Sequence, residues 1–201
     1  MDLFSEEKIV LKLPDAELVY LPKFITLEKA NFYFEHLKSN TNWQQDYITV
    51  FGKTYKQPRL TALYANNNIN YSYSNISMKP SPFTSELLDL KQKIEQEAQH
   101  KFTTVLLNLY RNGNDSNGWH ADNEKKLGIN PIIASLSLGA IRTFHFKHRH
   151  LKTERHKIEL QHGSLLIMKG TMQHYWLHQI SKTKKDIGER INLTFRTIKS
   201  I

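Results

Sequence analysis

The spacing of apolar residues predicts two helices in the first half of the chain. Thr26 is a good helix N-cap and precedes apolar residues at helical spacing. Those residues are Leu27, Ala30, Phe34 and Leu37. A second helix is expected directly after Ser81 and Pro82, because proline suits the first helical position. Its apolar face consists of Leu87, Leu90, Ile94 and Ala98.

Short apolar runs and strict alternation predict strands in the second half of the chain. We expect strands over residues 102–110, 131–138, 142–148, 164–169, 175–180 and 190–198. The polar stretches 112–118 and 147–157 are expected to be loops. Helices early and strands late indicate an α+β fold in which helices buttress the sheet of a sandwich or barrel. No repeat or linker divides the chain, so residues 1–201 are predicted to form a single domain.

The charge of the chain changes this picture by suggesting a partner. The formal net charge is +9, with an isoelectric point of about 9.6. Such a surplus favours a polyanion such as nucleic acid, although a basic surface also serves solubility. The chain contains no cysteine, which excludes disulfides and thiolate metal sites. No secretory signal or membrane span is recognisable, so we expect a cytoplasmic protein, or a nuclear one in a eukaryote.

A candidate metal site begins with the sequence His120-Ala121-Asp122. In an extended segment, residues two positions apart share a face and can converge on one ion. Two histidines and one carboxylate form the facial triad of non-haem iron(II) oxygenases. The second histidine is either His174 or His178, and periodicity alone leaves that choice open.

The segment Arg190–Arg196 alternates without a break between apolar and polar residues. Its polar side carries two guanidinium groups, from Arg190 and Arg196, with Asn192 and Thr194 between them. One interpretation is an ordinary sheet with one wet face. The other is a polar barrel lining in which the arginines hold the two ends of a small dicarboxylate by bidentate hydrogen bonds.

Taken in order, the motifs resemble the AlkB family of nucleic-acid dealkylases, most of all its animal members that repair DNA and RNA. The likeness runs from about Val50 onward. The motifs are Asn108-Leu-Tyr110, His120-Ala-Asp122-Asn-Glu124, PIIASLSLGA at 131–140, HGSLLIM at 162–168, Trp176-Leu-His178 and Arg190-Ile-Asn-Leu-Thr-Phe-Arg196. The family fold is a double-stranded β-helix, or jelly roll, with buttressing helices, which agrees with the predicted α+β order.

The resemblance also implies roles for individual residues. Iron(II) would be held by His120, Asp122 and His178. The cosubstrate 2-oxoglutarate would be bound by Asn108, Tyr110, Arg190, Asn192 and Arg196. The implied reaction is oxidative demethylation of 1-methyladenine and 3-methylcytosine type bases in DNA with O₂, giving the repaired base, formaldehyde, succinate and CO₂.

Two alternatives to DNA repair remain at this level. One keeps the chemistry and changes the substrate to methylated RNA, because the contacts that sense a 2′-hydroxyl are few. The other is a non-catalytic jelly roll that only binds nucleic acid. The partners expected on the main interpretation are alkylated DNA, single- or double-stranded, and O₂, and the protein is expected to act as a monomer.

The resemblance places further residues at the substrate. Tyr71 and Tyr73 would lie in a lid and stack on the flipped base, although two tyrosines on one face also suit core packing. Asn123 and Glu124 follow the metal pair and would reach the edge of the base. The family often has aspartate where this chain has Asn123.

Residues 48–55 are predicted to form a β-hairpin that turns at Gly52. Phe51 lies beside the turn, and Lys53 follows it. We interpret Phe51 as a wedge that fills the gap left by a flipped base, with Lys53 on a backbone phosphate. Packing of Phe51 into the core is the alternative.

Overall fold

The computed structural model describes residues 8–50, 52–66, 71–73 and 76–199, and only the backbone of residues 50, 71–73, 76 and 77. Three helices lie within these ranges: α1 Leu27–Asn40, α2 Ser85–Ala98 and α3 Met172–Tyr175. The strands before α2 are β1 Ile9–Leu13, β2 Ala16–Leu21, β3 Tyr47–Val50, β4 Lys53–Lys56, β5 Leu60–Ala65, β6 Tyr71–Tyr73 and β7 Ile76–Met78. Those after α2 are β8 Thr104–Tyr110, β9 Asn117–His120, β10 Ile133–Gly139, β11 Arg142–His148, β12 Arg155–Leu160, β13 Ser164–Lys169, β14 Trp176–Ile180 and β15 Arg190–Arg196.

Two antiparallel sheets form the body of the described chain. The large sheet has the strand order β1-β2-β13-β10-β15-β8-β5, and the small sheet has the order β12-β11-β14-β9. Apolar residues from both sheets, including Phe146 of β11 and Leu166 of β13, form one core cluster. The predicted α+β jelly roll with buttressing helices is therefore confirmed.

The two long helices cover the outer face of the large sheet. The α1 residues Ala30 and Leu37 share a core cluster with Leu136 and Leu193 of that sheet. The cluster also contains the four expected apolar residues of α2, Leu87, Leu90, Ile94 and Ala98. A fully buried leucine stabilises the fold by roughly 1.5–3 kcal/mol, so these two faces fix the helices firmly. The sheet is thereby held rigid on the side away from the pocket described below.

The helix predictions were correct in substance and wrong in detail. The Thr26 hydroxyl accepts a hydrogen bond from the Lys29 N–H and caps α1, as expected. Leu27, however, is 69% exposed, and Tyr33 takes the expected place in the core. Helix α2 begins three residues after Pro82, because the Thr84 hydroxyl caps it by accepting from an amide in its first turn.

The expectation of helices early and strands late is wrong at the N-terminus. Strands β1 and β2 precede α1 and form a hairpin whose turn residue Asp15 has φ 56°. Strand β2 pairs with β13, which makes the hairpin one end of the large sheet. Its apolar residues pack on two layers, so their pattern lacks the clean alternation of a half-exposed strand.

The stretch 147–157 is also not one loop. Residues 149–154 do form a turn region, but β12 begins at Arg155 and pairs along its length with β11. Strand β12 is an edge strand that turns charged side chains to solvent, which explains its polar appearance. Similarly, β9 begins at Asn117, inside the predicted loop 112–118.

Among the described residues, no helix has the length and apolarity needed to cross a membrane.

Candidate active site

A polar pocket opens between the two sheets. It holds about 490 Å³ of space free of atoms, solvent at its mouth included. The walls include residues from both sheets, among them His120, Asp122, His178, Arg190, Asn192 and Arg196. All eight residues expected to bind iron or 2-oxoglutarate line this one pocket, since Asn108 and Tyr110 also belong to its walls.

The candidate metal ligands meet because β9 and β14 of the small sheet pair at this point, just before a shift in their register. His178 on β14 lies directly opposite His120 on β9. Asp122 follows β9 by two residues, and its Oδ2 lies 3.8 Å from His178 Nε2. One ligand atom from each of the three residues falls within 4.8 Å of the others. In the part of the chain that the structure describes, no other group of histidine, aspartate or glutamate has this geometry.

His174 is separated from this cluster by a change of secondary structure. It lies in the single-turn helix α3 and is exposed, whereas β14 begins at Trp176 and carries His178 inward. The strand expected over residues 175–180 is present from Trp176 onward, and Tyr175 belongs to the helical turn that contains His174. Of the two histidines, His178 lines the pocket and His174 does not, because the strand and not the helical turn faces it.

Hydrogen bonds orient two of the three ligands. His120 Nδ1 donates to the Gly118 carbonyl at 2.7 Å, so Nε2 carries the lone pair and accepts from Asn117 Nδ2 at 3.1 Å. The backbone N–H of Asp122 donates to Gln173 Oε1 at 2.9 Å. Gln173 is 1% exposed and was missed by the sequence analysis, since a polar residue in a single-turn helix gives no periodic signal. Such supporting contacts fix ligand geometry around metals.

The charge states of the triad suit a divalent cation. Burial, reinforced by the neighbouring His120, lowers the pKa of His178 to about 3, so the ring is neutral. Burial alone would raise the pKa of Asp122, but the guanidinium of Arg196 outweighs it and holds that pKa below its usual range. Two neutral imidazoles and an ionised carboxylate are the forms that bind a metal. The donor set therefore fits iron(II).

The polar face of β15 is a buried lining and not a wet surface. Arg190, Asn192, Thr194 and Arg196 are each no more than 8% exposed. Asn192 links its neighbours, because its Oδ1 accepts from Ser135 Oγ at 2.9 Å and its Nδ2 donates to Thr194 Oγ1 at 2.7 Å. The interpretation as a sheet with one wet face is therefore wrong, since the second sheet covers it.

Arg190 is a buried cation without a carboxylate partner among the described residues. Its Nη2 donates to Ser137 Oγ at 2.9 Å and to Asn192 Oδ1 at 2.7 Å, while no described residue forms a hydrogen bond with Nε or Nη1. Its guanidinium carbon lies 5.2 Å from the centre of the Tyr110 ring. Burial lowers the pKa of Arg190 to about 10, so the charge persists at neutral pH. A carboxylate is the ligand that such a fork accepts best.

Arg196 is arranged differently. Its Nη2 donates to Asp122 Oδ1 at 2.6 Å, and both side chains are almost fully buried. Arg196 therefore already neutralises a candidate metal ligand. The expected clamp between two arginines becomes asymmetric, because only Arg190 lacks an internal anion among the described residues.

Asn108 is held in place by a residue that the sequence analysis missed. Arg59 donates from Nε to Asn108 Oδ1 at 2.8 Å and from Nη1 to the Ser116 carbonyl at 3.0 Å. Arg59 is only 4% exposed. It lies just before β5 in a polar stretch, where nothing in the pattern distinguishes a buried arginine from a surface one.

The expected substrate residues are only partly described. Phe51 lies outside the described residues, as do the side chains of Tyr71 and Tyr73, whose strand β6 pairs with β7. Gly52 has φ +75° at the turn of the β3–β4 hairpin, as predicted, and Lys53 is exposed. Asn123 is exposed, and Glu124 is partly buried; both directly follow the candidate metal ligand Asp122.

Comparison with known proteins identifies the type of site. The family model of the "2OG-Fe(II) oxygenase superfamily" matches residues 17–196. The "Alpha-ketoglutarate-dependent dioxygenase alkB homolog 3" proteins of Bos taurus and Homo sapiens are 44% and 42% identical over 88% of this chain and 64% of their own length. The Arabidopsis thaliana "DNA oxidative demethylase ALKBH2" is 31% identical over 91% of this chain and 67% of its own.

A solved structure has the same fold. The chain titled "The structure of OsALKBH1" superposes with a TM-score of 0.65 at 17% identity, over 94% of this chain and 100% of that one. At this identity the likeness concerns the fold alone. The present chain spans less than two thirds of the length of the alkB homolog 3 relatives.

Proposed function

This chain belongs to the 2OG-Fe(II) oxygenase superfamily, and on that premise we propose that it removes alkyl groups oxidatively from base nitrogens in DNA. The relatives whose names specify a dioxygenase or a DNA oxidative demethylase cover 75–91% of the chain. The net charge of +9 suits a polyanionic substrate. The products would be the repaired base, formaldehyde, succinate and CO₂.

In this proposal His120, Asp122 and His178 hold iron(II), and Arg196 and Gln173 keep Asp122 ionised and oriented. Bound iron(II) and 2-oxoglutarate supply the oxidation of the alkyl carbon by O₂. The surrounding apolar side chains, such as Phe144 stacked on the His178 ring, limit water around the site. The chain would thus orient the metal ligands, keep Asp122 ionised and exclude water from the site.

The observation that carries the proposal is the buried Arg190 without an internal carboxylate partner among the described residues. A buried cation is costly unless an anion joins it. Arg190 would receive one carboxylate of 2-oxoglutarate, and Asn192 and Tyr110 would fix its approach. Asn108 would line the same cavity, held by Arg59.

The base would enter from the open side of the pocket after leaving its stack. Asn123 and Glu124, directly after the metal-binding segment, are proposed to meet its edge. Tyr71 and Tyr73 are proposed to stack on it from the β6–β7 hairpin. Aromatic stacking of this kind is sequence-tolerant, as a repair enzyme requires.

The β3–β4 hairpin is proposed to act on duplex substrates. Its described residues project outward, since β4 is exposed along its length and Tyr47 and Tyr55 are each more than half exposed. A ring at position 51, flanked by the Gly52 turn and Lys53, would then be available as a wedge. We expect Phe51→Ala to slow repair of duplex lesions strongly and to spare single-stranded ones, with thermal melting as the control for folding. Equal slowing of both would contradict the wedge.

The direct test is turnover of oligonucleotides that carry one 1-methyladenine, with iron(II), ascorbate and 2-oxoglutarate. Formaldehyde release and base identity are measured on matched DNA and RNA strands. Faster repair of DNA supports the proposal, whereas faster repair of RNA favours the alternative substrate. Binding without turnover would favour the non-catalytic alternative. We further propose a monomer, since one chain supplies every suggested ligand, and a nuclear location if the source is eukaryotic.

A further inference from the structure

The outer face of the small sheet carries a basic groove beside the active site. Alternation in β11 buries Phe144 and Phe146, so His145 and Lys147 face outward. Trp119 of β9, 41% exposed, lies under Lys147, whose Nζ is 4.3 Å from the ring centre. The basic sheet face, as we call it, consists of Trp119, His145, Lys147, Arg155 and Lys157, which line one groove.

The register of the sheet sets two cations directly opposite one another. Lys147 pairs with Arg155, and the next outward-facing pair, His145 and Lys157, adds a third lysine or arginine charge beside them. Like charges in directly opposed positions destabilise a sheet. In the part of the chain that is described, none of the lysine and arginine side chains of this face forms an ion pair with a carboxylate. Two acids lie near this face: Glu159 is opposite Thr143, and Glu154, which directly precedes Arg155, is hydrogen-bonded to His156. An external anion would relieve this repulsion.

The groove adjoins the active-site pocket in the small sheet, although no described residue lines both. Trp119 directly precedes the candidate ligand His120 in β9. Gln179, which lies opposite His145 in the sheet, lines the active-site pocket. Neighbouring strands are about 4.8 Å apart and alternate residues along a strand about 6.5–7 Å apart, so the cations form a compact grid. A strand that places one base in the pocket would therefore pass this face.

We propose that the basic sheet face binds the phosphodiester backbone of the nucleic-acid strand that carries the target base, with a flanking base stacked on Trp119. This inference rests on the proposed function. Single strands are bound where cations track the backbone and aromatic rings receive bases, and both features are present here. An acidic protein would use the cations but would give an exposed tryptophan no flat partner.

The charge part of the proposal is tested with Arg155→Gln/Lys157→Gln. The matched control is Lys12→Gln/Lys29→Gln, which removes the same charge from exposed residues of β1 and α1. Binding of an unmodified, labelled oligothymidine to the full chain is followed by fluorescence anisotropy over a range of salt. Each phosphate contact contributes about 0.7 to the salt slope, so the slope should fall by about 1.4 and the affinity by roughly 25-fold at 0.1 M salt. The control substitutions should change the salt slope and the affinity by much smaller amounts.

The stacking part is tested with Trp119→Ala and Trp119→Phe. We expect alanine to weaken oligothymidine binding by roughly tenfold or more, and phenylalanine to restore most of it. The visible spectrum of bound cobalt(II) shows whether His120 still binds metal in each variant. A variant with an altered spectrum is replaced by Trp119→Leu, which keeps bulk and removes the stacking surface.

The outcomes separate this inference from the proposed function. Equal salt slopes for Arg155→Gln/Lys157→Gln and its control would overturn the inference, whatever the turnover. If Arg155→Gln/Lys157→Gln loses binding to polyglutamate but binds oligothymidine as the wild type does, the inference is overturned in favour of an acidic protein partner. If wild type fails to repair any methylated strand while the salt slope still depends on this face, the proposed chemistry fails and the binding surface stands.

Discussion

The two ends of the polar face of β15 hold buried arginines in opposite electrostatic situations. Arg196 donates to Asp122 at 2.6 Å and is neutralised within the protein. Among the described residues, Arg190 has the neutral partners Ser137, Asn192 and the Tyr110 ring, and no carboxylate pairs with it. The same strand thus carries an arginine paired with a carboxylate at the proposed metal end of the pocket. At its other end it carries an arginine that pairs with no carboxylate among the described residues.

The difference teaches how a single alternating strand can serve two ligands. At the metal end, the cation stabilises the carboxylate that would bind iron, so its role is internal. At the other end, the cation remains available for a carboxylate that arrives from outside. Buried charges are stable only when an opposite charge compensates them. Removing the Arg196 charge should therefore lower the free energy of unfolding, whereas removing the Arg190 charge should not. The predictions below test that contrast.

The largest effect is expected at the metal end. Changing His178 to alanine removes one of three proposed ligands and should lower turnover at least 1,000-fold, by roughly 4 kcal/mol or more of transition-state stabilisation. His174→Ala, at an exposed residue of α3, should retain turnover within about twofold. Turnover and cobalt(II) affinity measured in both variants check the assignment. Comparable losses in the two variants would contradict it.

Removal of Arg196 should destabilise the metal-free protein strongly. Arg196→Gln leaves Asp122 as a buried charge without its guanidinium partner, and breaking such pairs costs about 3–5 kcal/mol. A bound divalent cation supplies the missing positive charge, so saturating cobalt(II) should recover part of the loss. Urea unfolding with and without cobalt(II) measures the loss in free energy of unfolding and the part of it that the metal recovers. An equal loss in both conditions would show that the Asp122 charge is not the cause.

Removal of Arg190 should instead affect the cosubstrate. Arg190→Met takes away a charge-assisted fork, so the affinity for 2-oxoglutarate should fall on the order of 100-fold. Arg190→Lys keeps the charge without the fork, and a smaller loss of about tenfold is expected. The free energy of unfolding without ligand should not decrease in Arg190→Met. Titration calorimetry and urea unfolding check these outcomes, and unchanged affinity in both variants would remove Arg190 from the cosubstrate site.

The smallest effect concerns Gln173, whose side chain holds the Asp122 backbone. Gln173→Leu should lower cobalt(II) affinity about tenfold, as is usual when a supporting contact is lost. Gln173→Glu keeps the accepting oxygen and should restore most of the affinity. A Gln173→Leu variant that loses thermal stability but keeps its cobalt(II) affinity would assign Gln173 a role in packing only.

The choice between His174 and His178 as the third proposed metal ligand shows where sequence-based prediction ended. His120 and Asp122 are two residues apart, so a local pattern was enough to pair them. His174 and His178 were indistinguishable by periodicity, and family resemblance favoured His178. The structure gives the reason: the chain changes from α3 to β14 at Trp176, and only the strand faces the pocket. Arg59 and Gln173 escaped prediction because long-range contacts, without any local pattern, bury them.

By itself, the sequence determined the elements that follow from local rules. The Thr26 cap, the apolar face of α2 and the alternation of β15 each depend on residues within a few positions of one another. Only the tertiary structure decided the partners of buried charges and the place of the N-terminal hairpin. Ion pairing between Arg196 and Asp122 joins residues 74 positions apart, and Arg190 differs from Arg196 only in what the fold brings beside it. Local periodicity can assign a residue to a face, but the charge that faces it depends on how the two sheets close.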